Sequence, residues 1–483
     1  MGPKPLQGLA YLERNLEEPA LPSPTDQHAW EWSKDPHNPY NWPRWKKHLQ
    51  CATVSILGFT CSVGTSIISP ARSQLVDTFG ISGTAAFLPL SLYVLALGLG
   101  PIVGGPLSET AGRQAVHTVA VICGGLFSLG AGLATSFVGL CVMRFLSGFF
   151  WGPILAVGSG VIGEIYAPVD RGLPTTIFIL SPFLGPGLGP VLGVFLVDGK
   201  DWRWTQFTLA IFAAFCVFFL PYPGESYHPV LIRRRMKALG MEPPPRPPAT
   251  ELTKRFLMVG LLRPLTMMFL EPVVAYLCLY IACTFGTLFM FFGAFFYVFQ
   301  TTYDFTPIQC GLVFFGIAFG CLVGCATMLI CDKLIYQPRA RSFVNLPIPP
   351  ELRLYPAMFS SFGIPISLFW FAWSARADVN PAVPIIAIVI FGWSNITLTI
   401  SSIQYLGDTY HPSVVASAAA ANGLARYGFA AAFPLFSFLM YEALGTGWAT
   451  SVLGFVTLAL CPGPWLLFKH GEKIRARSKY QTQ

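Results

Sequence analysis

The chain has 483 residues, 53% of them hydrophobic and only 11% charged, where a soluble globular chain carries roughly 25% charged residues. Its mean hydropathy is +0.57, and the apolar excess comes in blocks long enough for helices of about 20 residues to cross hydrocarbon. This composition excludes an ordinary soluble enzyme. The net charge of +8 does not indicate nucleic acid, because the basic residues flank the apolar blocks and form no aromatic-interleaved groove. The 12 cysteines are scattered through apolar segments, show no zinc spacing, and read as small hydrophobes.

In chain order, residues 1–48 are polar and proline-rich. They predict a cytoplasmic tail with no cleavable signal peptide, so that the first span serves as an uncleaved targeting signal. Apolar runs then place spans at 49–70, 85–107, 116–135, 138–163, 173–196 and 204–222. A polar stretch at 223–271 carries Arg233-Arg234-Arg235 and Glu242-Pro243-Pro244-Pro245 and reads as a solvated cytoplasmic loop. Six more spans follow at 273–299, 308–331, 352–374, 383–405, 412–440 and 446–468, before a cytoplasmic tail at 469–483. Each must be a helix, because lipid offers no partner to an open backbone amide. The expected fold is therefore all-α and polytopic, with twelve transmembrane helices in two six-helix halves at 49–222 and 272–468. Duplicated halves of this kind are common among secondary transporters.

Orientation follows from the 31 Lys and Arg residues. With the N-terminus in the cytoplasm, Arg72, Lys200, Arg203 and Arg376 fall outside and Arg144 and Arg426 lie within spans, while all the rest face inward. Such a positive-inside bias puts both termini in the cytoplasm.

Small residues mark close helix approach. Span 5 carries Gly185, Gly189, Pro190 and Gly193, and span 8 carries Gly316, Gly320 and Gly324 at a period of four. Span 2 shows Gly98, Gly100, Gly104 and Gly105, and span 11 shows Ala418 to Ala421 and Gly423. Small residues at this period let backbones touch where lipid removes the hydrophobic drive. They predict either seams between two rocking halves, with Gly189 and Gly193 set against Gly320, or static packing.

Several motifs in order resemble the major facilitator superfamily, and within it the fungal twelve-span drug:proton antiporters, over essentially 30–480. Trp32-Ser33-Lys34-Asp35-Pro36-His37-Asn38-Pro39-Tyr40-Asn41-Trp42-Pro43 resembles that group's signature before the first span. Gly105-Pro106-Leu107-Ser108-Glu109-Thr110-Ala111-Gly112-Arg113 resembles the superfamily's G-x-L-x-D-R-x-G-R loop, with Glu109 in place of Asp and with Thr110 and Gln114 in place of basic residues. Arg144-Phe145-Leu146-Ser147-Gly148 resembles an element that the family links to proton coupling. Gly185-x-x-x-Gly189-Pro190-x-x-Gly193 resembles the antiporter motif, with Val194 in place of the final Gly. Pro350-Glu351-Leu352-Arg353-Leu354 and the run from Ala418 to Arg426 also match the group.

The resemblance implies a proton-coupled exporter of small hydrophobic molecules such as drugs, toxins or secondary metabolites. Its implied partners are that substrate, protons and the lipid bilayer. No cofactor, metal or nucleic acid is expected, and the chain is expected to act as a monomer in the plasma membrane, with the vacuolar membrane as the alternative. A proton symporter for nutrient uptake and a non-transporting receptor or scaffold are the rival readings. An enzyme is not expected, since the sequence shows no nucleophile elbow or phosphate loop.

Ionisable residues within spans are functional candidates by default. Arg144 and Arg426 qualify, each with the alternative of a structural ion pair or carbonyl clamp. Glu109 and Arg113 are expected to form a gate lock at the closing seam, with Glu164 as a partner of that latch. Glu271 and Asp408 sit at helix ends and read as solvated acids. Candidates for the cavity lining are Ser62, Thr65, Trp151, Tyr280, Trp393 and Asn395.

Overall fold

The computed structural model describes residues 30–167, 170–222, 224–243, 256–343, 348–478 and 480. The first 29 residues, most of the proline-rich part of the central loop at 244–255 and the end of the C-terminal tail lie outside the described residues.

The first half contains α1 (Arg44–Val63), α2 (Leu88–Ala111), α3 (Arg113–Gly132), α4 (Phe137–Ile165), α5 (Gly172–Gly199) and α6 (Arg203–Phe219). The second contains α7 (Pro272–Tyr303), α8 (Pro307–Val313 continued by Phe315–Cys331), α9 (Tyr355–Ser374) and α10 (Ala382–Thr409). The helical run Pro412–Leu460 follows, bent at Gly445 where φ is 72°. It supplies α11 (412–444) and α12 (446–460), and α12 is prolonged by Gly463–Arg475. Among the described residues, nine helical stretches are long and apolar enough to cross a bilayer, and the last of them contains both α11 and α12. The charged start of α1 and the 17-residue length of α6 set those two apart from the nine.

Local chemistry explains the helix ends. Ser136 caps α4 by accepting from the Gly139 amide. Thr306 and Gln309 form a capping box on α8 with Pro307 at its first position. Helix α1 begins five residues before its predicted start, because Arg44, Lys46 and Lys47 can extend their charged ends to water along an apolar stem. It stops at Val63 rather than at 70, where hydropathy sees no break but the backbone enters a turn and a short 3-10 segment around Pro70. The loop 223–271 holds two helices, His228–Ala238 and Arg263–Leu270, and is not a bare linker.

The two halves repeat one packing plan. Helices α2 and α3 both pack on α4, as α8 and α9 pack on α10. Helix α1 meets α5 at Gly185, as α7 meets α11 at Gly286 and Gly293. The halves meet along α2–α11 and α5–α8. In the first seam a Cβ on Gly98 would lie 2.6 Å from Tyr427 Cβ. In the second a Cβ on Gly187 would lie 2.9 Å from the Ala318 amide, and Gly311 packs on Val194.

The expectation that Gly189 and Gly193 face Gly320 is corrected. A Cβ on Gly189 would stand 2.0 Å from Ser66 Oγ, and one on Gly193 would stand 2.3 Å from the Ile67 carbonyl oxygen, so both pack on the segment that ends α1. Gly320 instead lies on α10, 2.2 Å by the same measure from the Val389 carbonyl oxygen. The period of four puts glycines on one face but does not say which neighbour that face meets. Gly187, two residues before Gly189, is the one turned to the other half.

Candidate functional site

Three prolines at a spacing of four, Pro182, Pro186 and Pro190, lie inside α5. Each removes the amide that would bond the carbonyl four residues back, and in lipid that carbonyl must find another donor. Pro186 frees the Pro182 carbonyl, and Ser62 Oγ donates to it. Ser66 Oγ donates to the Gly185 carbonyl at 3.1 Å. The glycine-proline element is thus the surface on which α1 closes, with the Ser62 hydroxyl replacing the donor that Pro186 removes. Ser62 and Thr65 sit at this junction: Thr65 Oγ1 donates back to the Ser62 carbonyl at 2.6 Å and is buried.

Arg144 on α4 is fully buried. Its Nη2 donates to the Gly64 carbonyl at 2.6 Å, its Nε to the Pro89 carbonyl at 3.3 Å and its Nη1 to Gln206 Oε1 at 3.4 Å. The guanidinium also stands 4.2 Å from the Tyr93 ring centroid. This is the geometry of a carbonyl clamp, and it ties α1, α2, α4 and α6 together. Trp151 packs on α3 at Gly124 and on the Tyr93 ring.

At the end of the bundle that carries the clustered basic residues, called here the basic face, Arg113 Nη2 pairs with Glu164 Oε1 at 2.8 Å. Arg113 also donates to Ser108 Oγ and stacks on the Tyr227 ring at 4.6 Å. Glu109 is exposed and is not Arg113's partner, so the expected lock is corrected. Both Arg113 and Glu164 belong to the first half, so the pair does not bridge the seam. Gly112, with φ of 99°, turns α2 into α3 in a region closed to side chains, and Glu225 Oε2 occupies the place a Cβ would take.

Glu225 was not found from the sequence. Its carboxylate accepts from the amides of Arg113 at 2.9 Å, Gln114 at 3.3 Å, Ser226 at 3.0 Å and Tyr227 at 2.9 Å. It caps the positive end of α3. An acid just beyond span 6 is the only signal the sequence offers for this role.

The segment before α1 folds onto the same cluster. Trp32 Nε1 donates to His228 Nδ1 at 3.1 Å, which leaves Nε2 to donate to the Glu164 carbonyl at 2.9 Å. Tyr40 Oη donates to the Gly163 carbonyl at 3.2 Å, and Arg235 pairs with Asp35 at 3.0 Å. Burial would raise the Asp35 pKa. The His37 amide, Trp30 Nε1, Arg235 and the His37 ring outweigh it and hold the carboxyl below the usual carboxylate range.

The second half repeats the latch with fuller pairing. Arg353, at the start of α9, reaches Asp408 at 2.7 Å and Asp332 at 3.4 Å, and lies 3.6 Å over the Tyr336 ring. Asp408 is therefore paired rather than merely solvated. Glu271 is also corrected: it is 2% exposed and accepts from Ser478 Oγ at 2.8 Å. Glu351, in the same motif as Arg353, pairs with Arg475 beyond α12.

The other cavity candidates are held within the second half. Tyr280 Oη donates to the Ser361 carbonyl at 3.2 Å, Trp393 Nε1 to Thr327 Oγ1 at 3.0 Å and Asn395 Nδ2 to the Thr284 carbonyl at 3.0 Å. Arg426 differs from all of these. It lies beside the seam, over Phe285 and Tyr427 of its own half, 5.0 and 4.7 Å from their ring centroids. Phe285 in turn meets Phe183 of α5 at 5.7 Å.

A profile of the Major Facilitator Superfamily matches residues 54–434. The chain is 33% identical over 492 residues to polyamine transporter 4 of Saccharomyces cerevisiae, covering 96% of this chain and 74% of that protein. It is 36% identical over 465 residues to efflux pump FUB11 of Gibberella moniliformis, covering 93% of this chain and 77% of that protein. A crystal structure of a D-xylose-proton symporter superposes with a TM-score of 0.60 over 86% of this chain and 97% of that one, at 16% identity, and supports the fold alone. With the profile spanning most of twelve helices in two repeated halves, this chain belongs to the major facilitator superfamily of membrane transporters.

Proposed function

We propose that this protein is an efflux transporter that exports small hydrophobic organic molecules, such as drugs, toxins or secondary metabolites, in exchange for protons. The observation that carries this reading is the 36% identity over 93% of the chain to a protein named as an efflux pump. Two contacts between halves at Gly98 and Gly187 support rocking of one half against the other, because small residues allow close packing that can open without unthreading long side chains. At the end opposite the basic face, Arg72 lies 4.1 Å over the Phe438 ring of α11, a further contact between halves.

In this reading the halves at 49–222 and 272–468 move as units. The tail 1–48, the loop 223–271 and the tail 469–483 lie in the cytoplasm, the chain acts as a monomer, and the membrane is the plasma membrane. Proton coupling in this reading rests on ionisable residues within and beside the spans, Arg144, Arg113 and Glu164 among them. The test is net efflux from preloaded pump-deleted yeast expressing the chain, across a panel of azoles, cycloheximide, polyamines and metabolite toxins. Efflux that stops when the proton gradient is collapsed is expected. Accumulation of substrate against its gradient would overturn the export reading in favour of uptake.

A further inference from the structure

Two arginines lie within the spans, and the fold treats them in opposite ways. Arg144 spends its donors on two carbonyls and an amide oxygen. Arg426 donates from Nη2 to Tyr427 Oη at 3.3 Å, while its Nε is buried without a partner. Among the described residues no carboxylate pairs with it. A lone cation roughly mid-bilayer is costly unless a counter-charge arrives. The rings of Phe285 and Tyr427 stabilise the guanidinium through their faces but leave hydrogen-bond donors unused.

One turn earlier on the same face of α11 lies Asn422, since residues four apart are neighbours on a helix. It is 3% exposed, and its Nδ2 is also buried without a partner. Two unpartnered donors, one of them cationic, therefore lie side by side. They sit where the halves meet, with Tyr427 packed on Gly98 of α2 and Phe285 on Phe183 of α5. Buried donors are rarely left unmade without a reason. The chemical complement of this pair is a planar anion with two acceptor oxygens, attached to an apolar body that can lie against phenylalanine rings.

We propose that Arg426 and Asn422 form the anion subsite of the transport cavity and select organic carboxylic acids with an aromatic or aliphatic body. The inference rests on the reading of the chain as a transporter of small organic molecules and names the class within it. A polycation meets a like charge here and is disfavoured, although a polyamine transporter is among the similar proteins.

The test uses the full-length protein in lipid nanodiscs and a near-isosteric probe pair, radiolabelled naphthalene carboxylate and naphthalene carboxamide, at neutral pH. Wild type is expected to bind the acid at least about tenfold more tightly than the amide, the discrimination a single charge-assisted contact provides. Arg426→Gln should erase that ratio, Asn422→Ala should reduce it, and Arg426→Lys, which keeps the charge but not the planar fork, should keep part of it. Equal binding of the two probes by the wild type, binding of neither, or a ratio unchanged in Arg426→Gln overturns the proposal; the wild-type ratio needs no variant to fold. Vesicle efflux of the same acid is read separately. Selective binding without net efflux would sink the export reading and leave the subsite standing.

Discussion

Gly189→Ala tests whether Gly189 packs at the junction of α1 with α5 rather than at the seam between halves. The new Cβ would stand 2.0 Å from Ser66 Oγ, 3.1 Å from the Ile67 amide nitrogen and 3.2 Å from Ser66 Cβ, where carbon contacts are ordinarily about 3.5 Å or more. Ser66 must turn away and surrender its 3.1 Å bond to the Gly185 carbonyl. Overpacking costs about 1–3 kcal/mol, and a lost buried hydrogen bond adds about 0.5–1.5 kcal/mol. A loss of roughly 2–4 kcal/mol is expected from these two sources. It would be read as a lower melting temperature of detergent-solubilised protein by fluorescence-detected size exclusion. Ser66→Ala in the same chain removes the 2.0 Å contact and leaves the nearest atom at 3.1 Å, so the double variant should recover more than half of the loss. Strict additivity of the two changes, or wild-type melting of Gly189→Ala, would refute the assignment. Rescue by Ala318→Gly instead would return Gly189 to α8.

Arg113→Ala should reduce transport while the protein still reaches the cell surface, because it strips Glu164 of its 2.8 Å partner; Glu109→Ala, at an exposed side chain, should shift stability by no more than about 0.5 kcal/mol. Unchanged transport in Arg113→Ala would remove this loop from the mechanism. For Asp35, the folded pKa lies below its ordinary value of 3.8, so its contribution to docking the segment before α1 is present at neutral pH and is lost only as pH falls through the lowered value. Limited proteolysis between Trp30 and Pro43 should therefore stay slow from neutral pH down to about pH 4 and become fast in Asp35→Asn even at neutral pH. Cleavage of the wild type that accelerates near pH 5 would contradict this. Epitope tags at Met1, beside Pro245 and at Gln483 should all be protected from protease outside intact cells, and an externally accessible tag beside Pro245 would sink the proposed orientation.

Much of the fold was legible before any coordinates, because the bilayer leaves a polypeptide few options. Apolar runs long enough to cross hydrocarbon must be helices, and a central polar break at 223–271 divides them six and six. Local motifs in order were enough to indicate the superfamily. Boundaries slipped where hydropathy is blind to backbone geometry, as at Pro70 beyond α1, whereas the break between the last two spans falls at the bend at Gly445.

The partners of the polar groups were not legible, and that is where the candidate site changed most. The sequence paired Glu109 with Arg113 as opposite charges at a closing seam, but the turn at Gly112, with its positive φ, carries Arg113 away to Glu164, 51 residues further along the chain. It left Glu271 in solvent, whereas Ser478 at the far end of the chain folds over it. It offered both Arg144 and Arg426, the arginines within the spans, as functional candidates. Only the tertiary structure separates them, since three elements bring acceptors to Arg144 and, among the described residues, none brings a carboxylate to Arg426. Periodicity fixes which residues share a helix face, because that is a property of one helix; what the face meets depends on how twelve helices pack, and no local pattern encodes it.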